Sequence, residues 1–267
     1  MDGSLHHVWF AAPTTACMSL YIDTHCHLDL FQDPVKALDD APHTVVVLAT
    51  ELPSRYRLLA VRFRGDRRVR VALGLHPLRA ATASPLELSQ LVRQLDNTEY
   101  VGEVGLDFSR HGRDTRDAQL KVLDRLLSQP ALKYKVVTVH SRGAEAVVIE
   151  RLRSAGVAAI LHWYTGPLGL IDEALAAGLY FSINPAMLRT EKGRRVIAAV
   201  PRHRALTESD GPFAKSHGHP ARPADMPMLV SELADIWQTD LESTRRQLYD
   251  NLANLYAATV GKASGHK

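Results

Sequence analysis

The chain has 267 residues, of which 46% are hydrophobic and 23% are charged, and its formal net charge is +3. These values are ordinary for a globular protein, and the length suits one large domain. No apolar stretch in the sequence is long enough to span a membrane, and the N-terminus lacks the pattern of a secretory signal. Two cysteines, Cys17 and Cys26, are too few for a disulfide framework. We therefore expect a cytoplasmic protein without a membrane partner.

Short apolar runs alternate with helical patterns along the chain. The runs predict strands at 20–24, 44–49, 69–74, 100–103, 136–140, 158–162, 179–183 and 205–208. Helices are expected between them, with Asp33 as an N-cap before Pro34 and Ser84 opening a capping box with Glu87. Eight such units favour one α/β domain, a (β/α)8 TIM barrel over residues 18–258. Residues 1–17 and 259–267 are expected to be a disordered N-terminal extension and a disordered tail.

Five of the predicted strands lead to side chains that can bind metal ions. These side chains are His25, His27, Glu103, His140, His162 and Asp210. In a barrel of parallel strands, the C-terminal strand ends meet at one open rim. Four histidines and two carboxylates gathered at such a rim are the composition of a two-metal hydrolytic site.

Each motif taken singly has a simpler interpretation. His25 and His27 lie on one face of a strand, where a hydrogen-bonded core histidine is the more common finding. Glu103 lies inside the apolar segment 101–105, where an unpaired carboxylate would be costly to bury and a cation would remove that cost. Convergence of five strand ends makes the simpler interpretation a poor one, and a metal site is the better hypothesis.

Six short motifs surround these candidate ligands. They are His25 to Asp29, Gly74 to Pro77, Gly102 to Asp107, His140 to Arg142, His162 to Gly166 and Thr207 to Pro212. In order and spacing they resemble the TatD-like metal-dependent deoxyribonucleases, and the resemblance extends over residues 21–256. It implies a TIM barrel of the metal-dependent hydrolase superfamily, which agrees with the strand count.

The resemblance also implies two divalent metal ions. Mg²⁺ or Mn²⁺ suits the oxygen ligands, and Zn²⁺ is the alternative that four imidazoles allow. By analogy, the first ion would be held by His25, His27, Glu103 and Asp210. The second would be held by Glu103, His140 and His162, so that Glu103 bridges the two ions.

Further roles follow from the same resemblance. Asp210 would orient the attacking water and accept its proton, and Glu208 would support the ligands as a further catalytic carboxylate. His76 and Arg142 match positions that contact the substrate phosphate. The aromatic pair after His162 departs from the family, which often has Cys-Phe there. We expect its second member, Tyr164, to stack on a terminal base at the barrel mouth.

The implied substrate is DNA, either single-stranded or with a frayed end, cleaved at its phosphodiester bonds by an exonuclease. Segments 184–188 and 191–194 look like those of a TatD subgroup encoded in bacterial Qat anti-phage operons. That likeness would make the chain the nuclease component of a defence system and add other defence proteins as partners.

Three alternatives remain open from the sequence. The first is another metal-dependent hydrolase on the same barrel, acting on an amide, a lactone, a phosphotriester or an aminoacyl-tRNA ester. Glu103 stands where related amidohydrolases carry a carboxylated lysine, which favours the nuclease group. The second is a non-catalytic subunit of a defence complex, which a complete ligand set disfavours. The third is a sugar-phosphate enzyme, but the usual Gly-rich phosphate loop is missing from the sequence after strands seven and eight.

Overall fold

Eight parallel strands form the centre of the computed structural model, which describes residues 20–260. They are β1 Tyr21–Cys26, β2 Thr44–Leu48, β3 Val69–Val71, β4 Tyr100–Gly105, β5 Val136–His140, β6 Ala159–Leu161, β7 Tyr180–Ile183 and β8 Ala205–Thr207. All eight predicted strands are present, although several begin or end a few residues from the predicted positions. The short, β-branched apolar runs form largely buried strands, as expected for a sheet covered on both faces.

The strands pair in chain order within two sheets, β1 to β3 and β4 to β8. Between β3 and β4, the Leu73 amide donates to Tyr100 O and its carbonyl accepts from Gly102 N, both at 2.9 Å. Between β8 and β1, threonine side chains supply hydrogen bonds along the strands. The Thr24 hydroxyl donates to Thr207 O at 2.9 Å, and the Thr207 hydroxyl donates to Ile22 O at 2.5 Å. These contacts close the predicted TIM barrel.

Ten helices surround the strands in the described part of the chain. They are α1 Pro34–Asp39, α2 Pro53–Arg62, α3 Pro85–Arg93, α4 Arg116–Leu127, α5 Glu145–Ala155, α6 Ile171–Ala176, α7 Pro185–Leu188, α8 Glu191–Ala199, α9 Met226–Trp237 and α10 Leu241–Ala258. Asp33 caps α1 as predicted, because its carboxylate accepts from Lys36 N at 2.9 Å. No helix among residues 20–260 has both the length and the apolar character needed to cross a membrane.

The predicted capping box at α3 forms only in part. The Ser84 hydroxyl accepts from Glu87 N at 3.2 Å, as a capping box requires. The Glu87 carboxylate instead accepts from Ser54 N at 3.0 Å, and it therefore ties the start of α3 to the start of α2. A tertiary contact has replaced the local one.

The N-terminal end of the barrel is filled by apolar side chains. One residue from each strand or its immediate end contributes, namely Ile22, Val47, Ala72, Tyr100, Val136, Ile160, Tyr180 and Leu206. Helix α10 packs Tyr249, Leu252 and Leu255 against this layer, so the helix covers that end of the barrel. The opposite end, where the C-terminal strand ends lie, is called the mouth below.

Two features of the fold were not predicted. The short helix α7 precedes α8, and a two-stranded hairpin of β9 Lys215–Ser216 and β10 His219–Pro220 follows β8. The expected N-terminal extension, residues 1–17, and residues 261–267 of the expected tail lie outside the described residues. Thr259 and Val260, the first residues of the expected tail, are buried in the structure, so the packed domain reaches at least residue 260.

Candidate metal centre

The six predicted ligands come together at the mouth. His25 lies in β1, with His27 directly after it, and Glu103 lies in β4. His140 is the last residue of β5, His162 follows β6 by one residue, and Asp210 lies beyond the end of β8. All are buried except His140, which is partly exposed. The parallel arrangement brings side chains up to 185 positions apart in sequence into one cluster.

Irregularities in two strands direct the ligands into this cluster. The pairing of β4 with β5 shifts register between Val101 and Val104, on either side of Glu103, and the pairing of β1 with β2 shifts between Asp23 and Cys26. Such bulges re-aim side chains and are frequent beside active sites. Gly102 permits the close approach of β4 to β5, because a Cβ at this position would overlap the Thr138 hydroxyl.

Glu103 divides the cluster into two halves. Its Oε2 atom lies 3.2 Å from His27 Nε2 and 3.7 Å from His25 Nε2. Its Oε1 atom lies 2.6 Å from His140 Nδ1 and 2.8 Å from His162 Nε2. Each carboxylate oxygen therefore faces one pair of imidazoles. Burial alone would raise the pKa of Glu103, but His76 and His162, with hydrogen bonds in the cluster, hold it well below its ordinary value.

Asp210 completes the half that contains His25 and His27. Its Oδ1 atom lies 3.9 Å from His25 Nε2 and 3.8 Å from His27 Nε2. The residue has a φ of 44°, an uncommon left-handed conformation, and its amide donates to His25 O at 2.9 Å. Burial raises the pKa of Asp210 to about 7 although the charge of His162 opposes the shift. The pKa of this carboxyl therefore lies close to neutral pH.

The donor set fits divalent metal ions. His25 Nε2 and His27 Nε2 are only 3.3 Å apart, so their lone pairs repel unless a proton or a cation lies between them. Burial lowers the pKa of His25 to about 4, which leaves the neutral imidazole that a metal ligand requires. Its Nδ1 is 2.9 Å from the Thr138 hydroxyl, a contact that fixes the ring with Nε2 toward the cluster.

Three groups of donor atoms each lie within 4.8 Å of one another. These groups are His25, His27 and Asp210; His25, His162 and Glu208; and His76, Glu103 and His140. The first contains three of the four ligands expected for the first ion. The other two differ from the expected second set of Glu103, His140 and His162. The second group shares only His162 with that set, and the third group contains His76 in place of His162. The structure thus brings all the expected ligands together and adds two neighbours to them.

Asp107 is a residue of the site that the sequence reasoning missed. Its Oδ2 atom lies 2.9 Å from His140 Nε2, while the other ring nitrogen of His140 faces Glu103. Burial disfavours the charged form of Asp107, but hydrogen bonds from His140 and Ser109 outweigh it and lower its pKa below the ordinary value. A carboxylate that contacts the outer nitrogen of a histidine commonly supports that histidine as a metal ligand. Asp107, the third residue after Val104, fits this role.

Glu208 supports the site from behind. Its Oε1 atom accepts from Trp163 N at 2.9 Å and from Asn184 Nδ2 at 3.1 Å, and its Oε2 accepts from the Ser182 hydroxyl. His162 Nδ1 lies 3.8 Å away. The fully buried carboxylate thus connects β7, β8 and the segment after β6. Ser182 and Asn184 carry no metal-binding signal in sequence and were not predicted.

His76 and Arg142 differ in how close they lie to the cluster. His76 Nε2 is 3.4 Å from Glu103 Oε1, and its Nδ1 accepts from Leu78 N at 3.1 Å. A neutral ring that accepts at Nδ1 carries its proton on Nε2, so His76 presents a donor to the cluster. Arg142 follows the end of β5 by two residues, and its side chain is exposed at the mouth.

The structure contradicts the prediction that Tyr164 stacks on a base. The side chain is only 1% exposed, its ring packs edge-on against Phe181, and its hydroxyl donates to Pro167 O at 2.7 Å. Trp163 has a φ of 39°, which breaks the strand alternation after His162 and turns Tyr164 into the core. The simple count of two residues from a ligand therefore gave the wrong face.

A parallel barrel with this donor cluster at its mouth defines the class of metal-dependent hydrolases. A family model described as "TatD related DNase" matches residues 22–257, so the chain belongs to the TatD-related DNase family. The match covers nearly the whole described structure, and the family expected from the six motifs is confirmed.

Individual relatives agree with this assignment. The chain is 28% identical over 214 residues to human deoxyribonuclease TATDN3, covering 72% of this chain and 77% of the relative. It is 24% identical over 255 residues to the metal-dependent hydrolase YabD of Bacillus subtilis, covering 89% and 99%. The crystal structure of YjjV, a TatD homologue from Escherichia coli K12, superposes with a TM-score of 0.71 at 26% identity, covering 89% and 98%.

Proposed function

We propose that this chain is a divalent-metal-dependent deoxyribonuclease that removes nucleotides from single-stranded DNA ends by hydrolysing phosphodiester bonds. The observation that carries the proposal is Glu103, whose two oxygens face two separate pairs of imidazoles within 3.7 Å. That geometry suits a carboxylate shared by two ions. The DNase relatives support DNA as the substrate class.

The residues assigned to each ion follow from this division. His25, His27 and Asp210 would hold the first ion together with Glu103 Oε2, and His140 and His162 would hold the second together with Glu103 Oε1. When bound, such ions supply Lewis acidity, which activates water and neutralises charge on a phosphodiester. Mg²⁺ or Mn²⁺ suits the carboxylate ligands, and the four imidazoles also suit Zn²⁺.

Five side chains have further roles in the proposed reaction. Asp210, whose carboxylate faces His25 and His27 in the cluster, accepts the proton of the attacking water. His76 donates from Nε2 to a phosphate oxygen, and Arg142 at the mouth stabilises the negative charge that develops there. Asp107 keeps His140 oriented, and Glu208 holds the segment after β6 in place.

The depth of the cluster supports a strand end as the substrate. Most of the donor side chains are buried below the mouth, and Glu103 is 2% exposed. A duplex is too wide to follow a phosphate down to these groups, whereas a single-stranded end has the necessary freedom. We further propose that the chain is the nuclease of an anti-phage defence system, supported by the likeness of segments 184–188 and 191–194 to that subgroup.

The test is a cleavage assay with purified, metal-loaded protein. Oligonucleotides labelled at either end, as single strands and duplexes in DNA and RNA, are compared with a phosphotriester and an aminoacyl-tRNA. We expect mononucleotides from single-stranded DNA and no turnover of the last two substrates. Chelator and Glu103→Ala should each abolish cleavage, and added divalent metal should rescue only the chelated protein. Turnover of the ester or phosphotriester alone would refute the proposal.

The defence role needs a separate measurement in cells. Phage plating is compared between cells that carry the intact operon and cells that carry the operon with Glu103→Ala. A loss of protection in the variant, with unchanged protein level, is the expected result. Equal protection by both would show that hydrolysis by this chain is not required.

A further inference from the structure

Phe213 is a large aromatic side chain beside the metal centre that none of the roles above uses. More than half of it, 55%, is exposed, although aromatic residues are usually buried. Its ring lies edge-on to His27, with centroids 5.1 Å apart and an angle of 81° between the planes. One ligand imidazole therefore separates this ring from Glu103 and Asp210.

The backbone around Phe213 is held in a defined position. Its amide donates to Asp210 O at 2.9 Å, and the amide of Ala214 donates to the same oxygen at 3.0 Å. His27 N donates to Gly211 O at 2.9 Å, which ties the segment to the end of β1. Beyond it, Ala221 N donates to Ala214 O and continues the pairing of the β9–β10 hairpin. The ring is thus presented from an ordered support.

We propose that Phe213 is the stacking platform for the terminal nucleobase of the substrate, an inference that rests on the proposed function. In a nucleotide whose phosphate is bound at the centre, the base lies one sugar away, and the Phe213 ring adjoins the centre through the ligand His27. The proposed phosphate donors, His76 and Arg142, follow β3 and β5, whereas Phe213 follows β8. Base and phosphate contacts therefore come from different parts of the mouth.

Stacking on one ring makes recognition tolerant of sequence. Every nucleobase offers a π face, and a base on an aromatic residue contributes similarly whichever base it is. The Phe213 ring provides apolar contact area but no hydrogen-bond pattern that would select one base.

The test compares DNA binding by four proteins: wild type, Phe213→Ala, Phe213→Trp and Tyr134→Ala. Tyr134 is the matched control, since it is an exposed aromatic residue (38%) that precedes β5 and so lies at the opposite end of the barrel. The probe is a fluorescein-labelled, phosphorothioate-protected single strand in Mn²⁺, read by anisotropy. A second probe carries base-free tetrahydrofuran units at its terminal positions.

Phe213→Ala should weaken binding of the normal strand about 5- to 100-fold. It should leave binding of the base-free strand and the content of bound metal unchanged. Phe213→Trp should restore binding, and Tyr134→Ala should behave as wild type. The inference would be overturned by an equal loss of binding to both probes, by weak binding of Phe213→Trp, or by no loss of binding in Phe213→Ala. Normal cleavage by wild type would leave the proposed function intact in each of these cases. Wild type that neither binds nor cleaves DNA would overturn both.

Discussion

The carboxylates of the centre are of two kinds. Glu103 and Asp210 point their oxygens at the histidine nitrogens inside the cluster. Asp107 and Glu208 lie outside the cluster, where Asp107 contacts the outer nitrogen of His140 and Glu208 accepts from the backbone of Trp163. The carboxylates are chemically alike, so their roles are set by what each one contacts. This difference leads to unequal effects when each is replaced by its amide.

Asp210→Asn should remove nearly all turnover, because the amide neither accepts the water proton nor adds negative charge to the cluster. Glu208→Gln should lose less, about 10- to 100-fold, because a glutamine can still accept from some of its donors. The measurement is kcat under saturating metal, with circular dichroism to verify folding. Equal losses in two folded, metal-loaded variants would show that the roles are wrongly assigned.

Asp107→Asn should weaken metal binding about 10- to 100-fold, because the charge that supports His140 is lost while the hydrogen-bonding shape is kept. Titration calorimetry with Mn²⁺ measures the change. Asp124→Asn is the matched control, since that exposed carboxylate pairs only with Arg151 at 2.7 Å. If metal affinity is the same in both variants, Asp107 does not support the ligand.

At the scale of elements, the apolar runs were sufficient to locate the barrel strands, because a fully buried parallel strand needs little besides β-branched apolar side chains. The strand ends also located the ligands, since parallel topology places those ends together. The hairpin after β8 was not predicted, because strands of two residues produce no periodic signal. Its turn depends on positive φ angles at His217 and Gly218, which composition alone did not indicate.

Tyr164 and Asp107 show why the site was predicted less completely than the fold. The direction of Tyr164 depends on the left-handed backbone at Trp163, a property of the chain's path after β6. The role of Asp107 depends on the rotation of His140, which a contact with Glu103 on the neighbouring strand β4 determines. Neither the direction of Tyr164 nor the contact of Asp107 can be read from the spacing of residues in the sequence. Ligand identities follow from residue type, but orientations follow from tertiary contacts.

The seam between β8 and β1 leads to a prediction about stability. Thr207→Val keeps the shape of the side chain but leaves the buried Ile22 carbonyl without its hydroxyl donor, at a cost of about 1–3 kcal/mol. Chemical denaturation of the metal-free protein measures the change. Thr82→Val, which removes an exposed hydroxyl that donates to Arg79 O, should change the free energy of unfolding little. An equally small effect at Thr207 would mean that its hydroxyl contributes no stability to the seam.

At the scale of the whole molecule, the cluster makes stability depend on pH. Burial raises the pKa of Asp23 to about 8, and it raises that of Asp210 to about 7. In the unfolded chain both carboxyls ionise near pH 3.8. Between that pH and the folded values, the native state keeps protons that the unfolded state has lost. Each such group therefore lowers the free energy of unfolding as pH rises, by at most about 1.4 kcal/mol per unit.

The metal-free protein should consequently unfold at a lower temperature at pH 8 than at pH 6. Divalent metal should raise the melting temperature more at pH 8, because binding requires deprotonated ligands. Asp23→Asn should make the metal-free profile flatter, since it removes one of the titrations that contribute in this pH range. Thermal melts across this range, with and without Mn²⁺, provide the comparison. A profile that rises steadily with pH would contradict the assignment.

The covering of the barrel's N-terminal end by α10 has a consequence for the order of events in catalysis. Within residues 20–260, Tyr249, Leu252 and Leu255 close that end with apolar side chains. Under the proposed function, DNA therefore enters at the mouth, and the released nucleotide leaves from the same side. Nucleoside monophosphates should therefore inhibit competitively against DNA, and Phe213→Ala should weaken that inhibition. Purely noncompetitive inhibition in steady-state assays would indicate another route for the product.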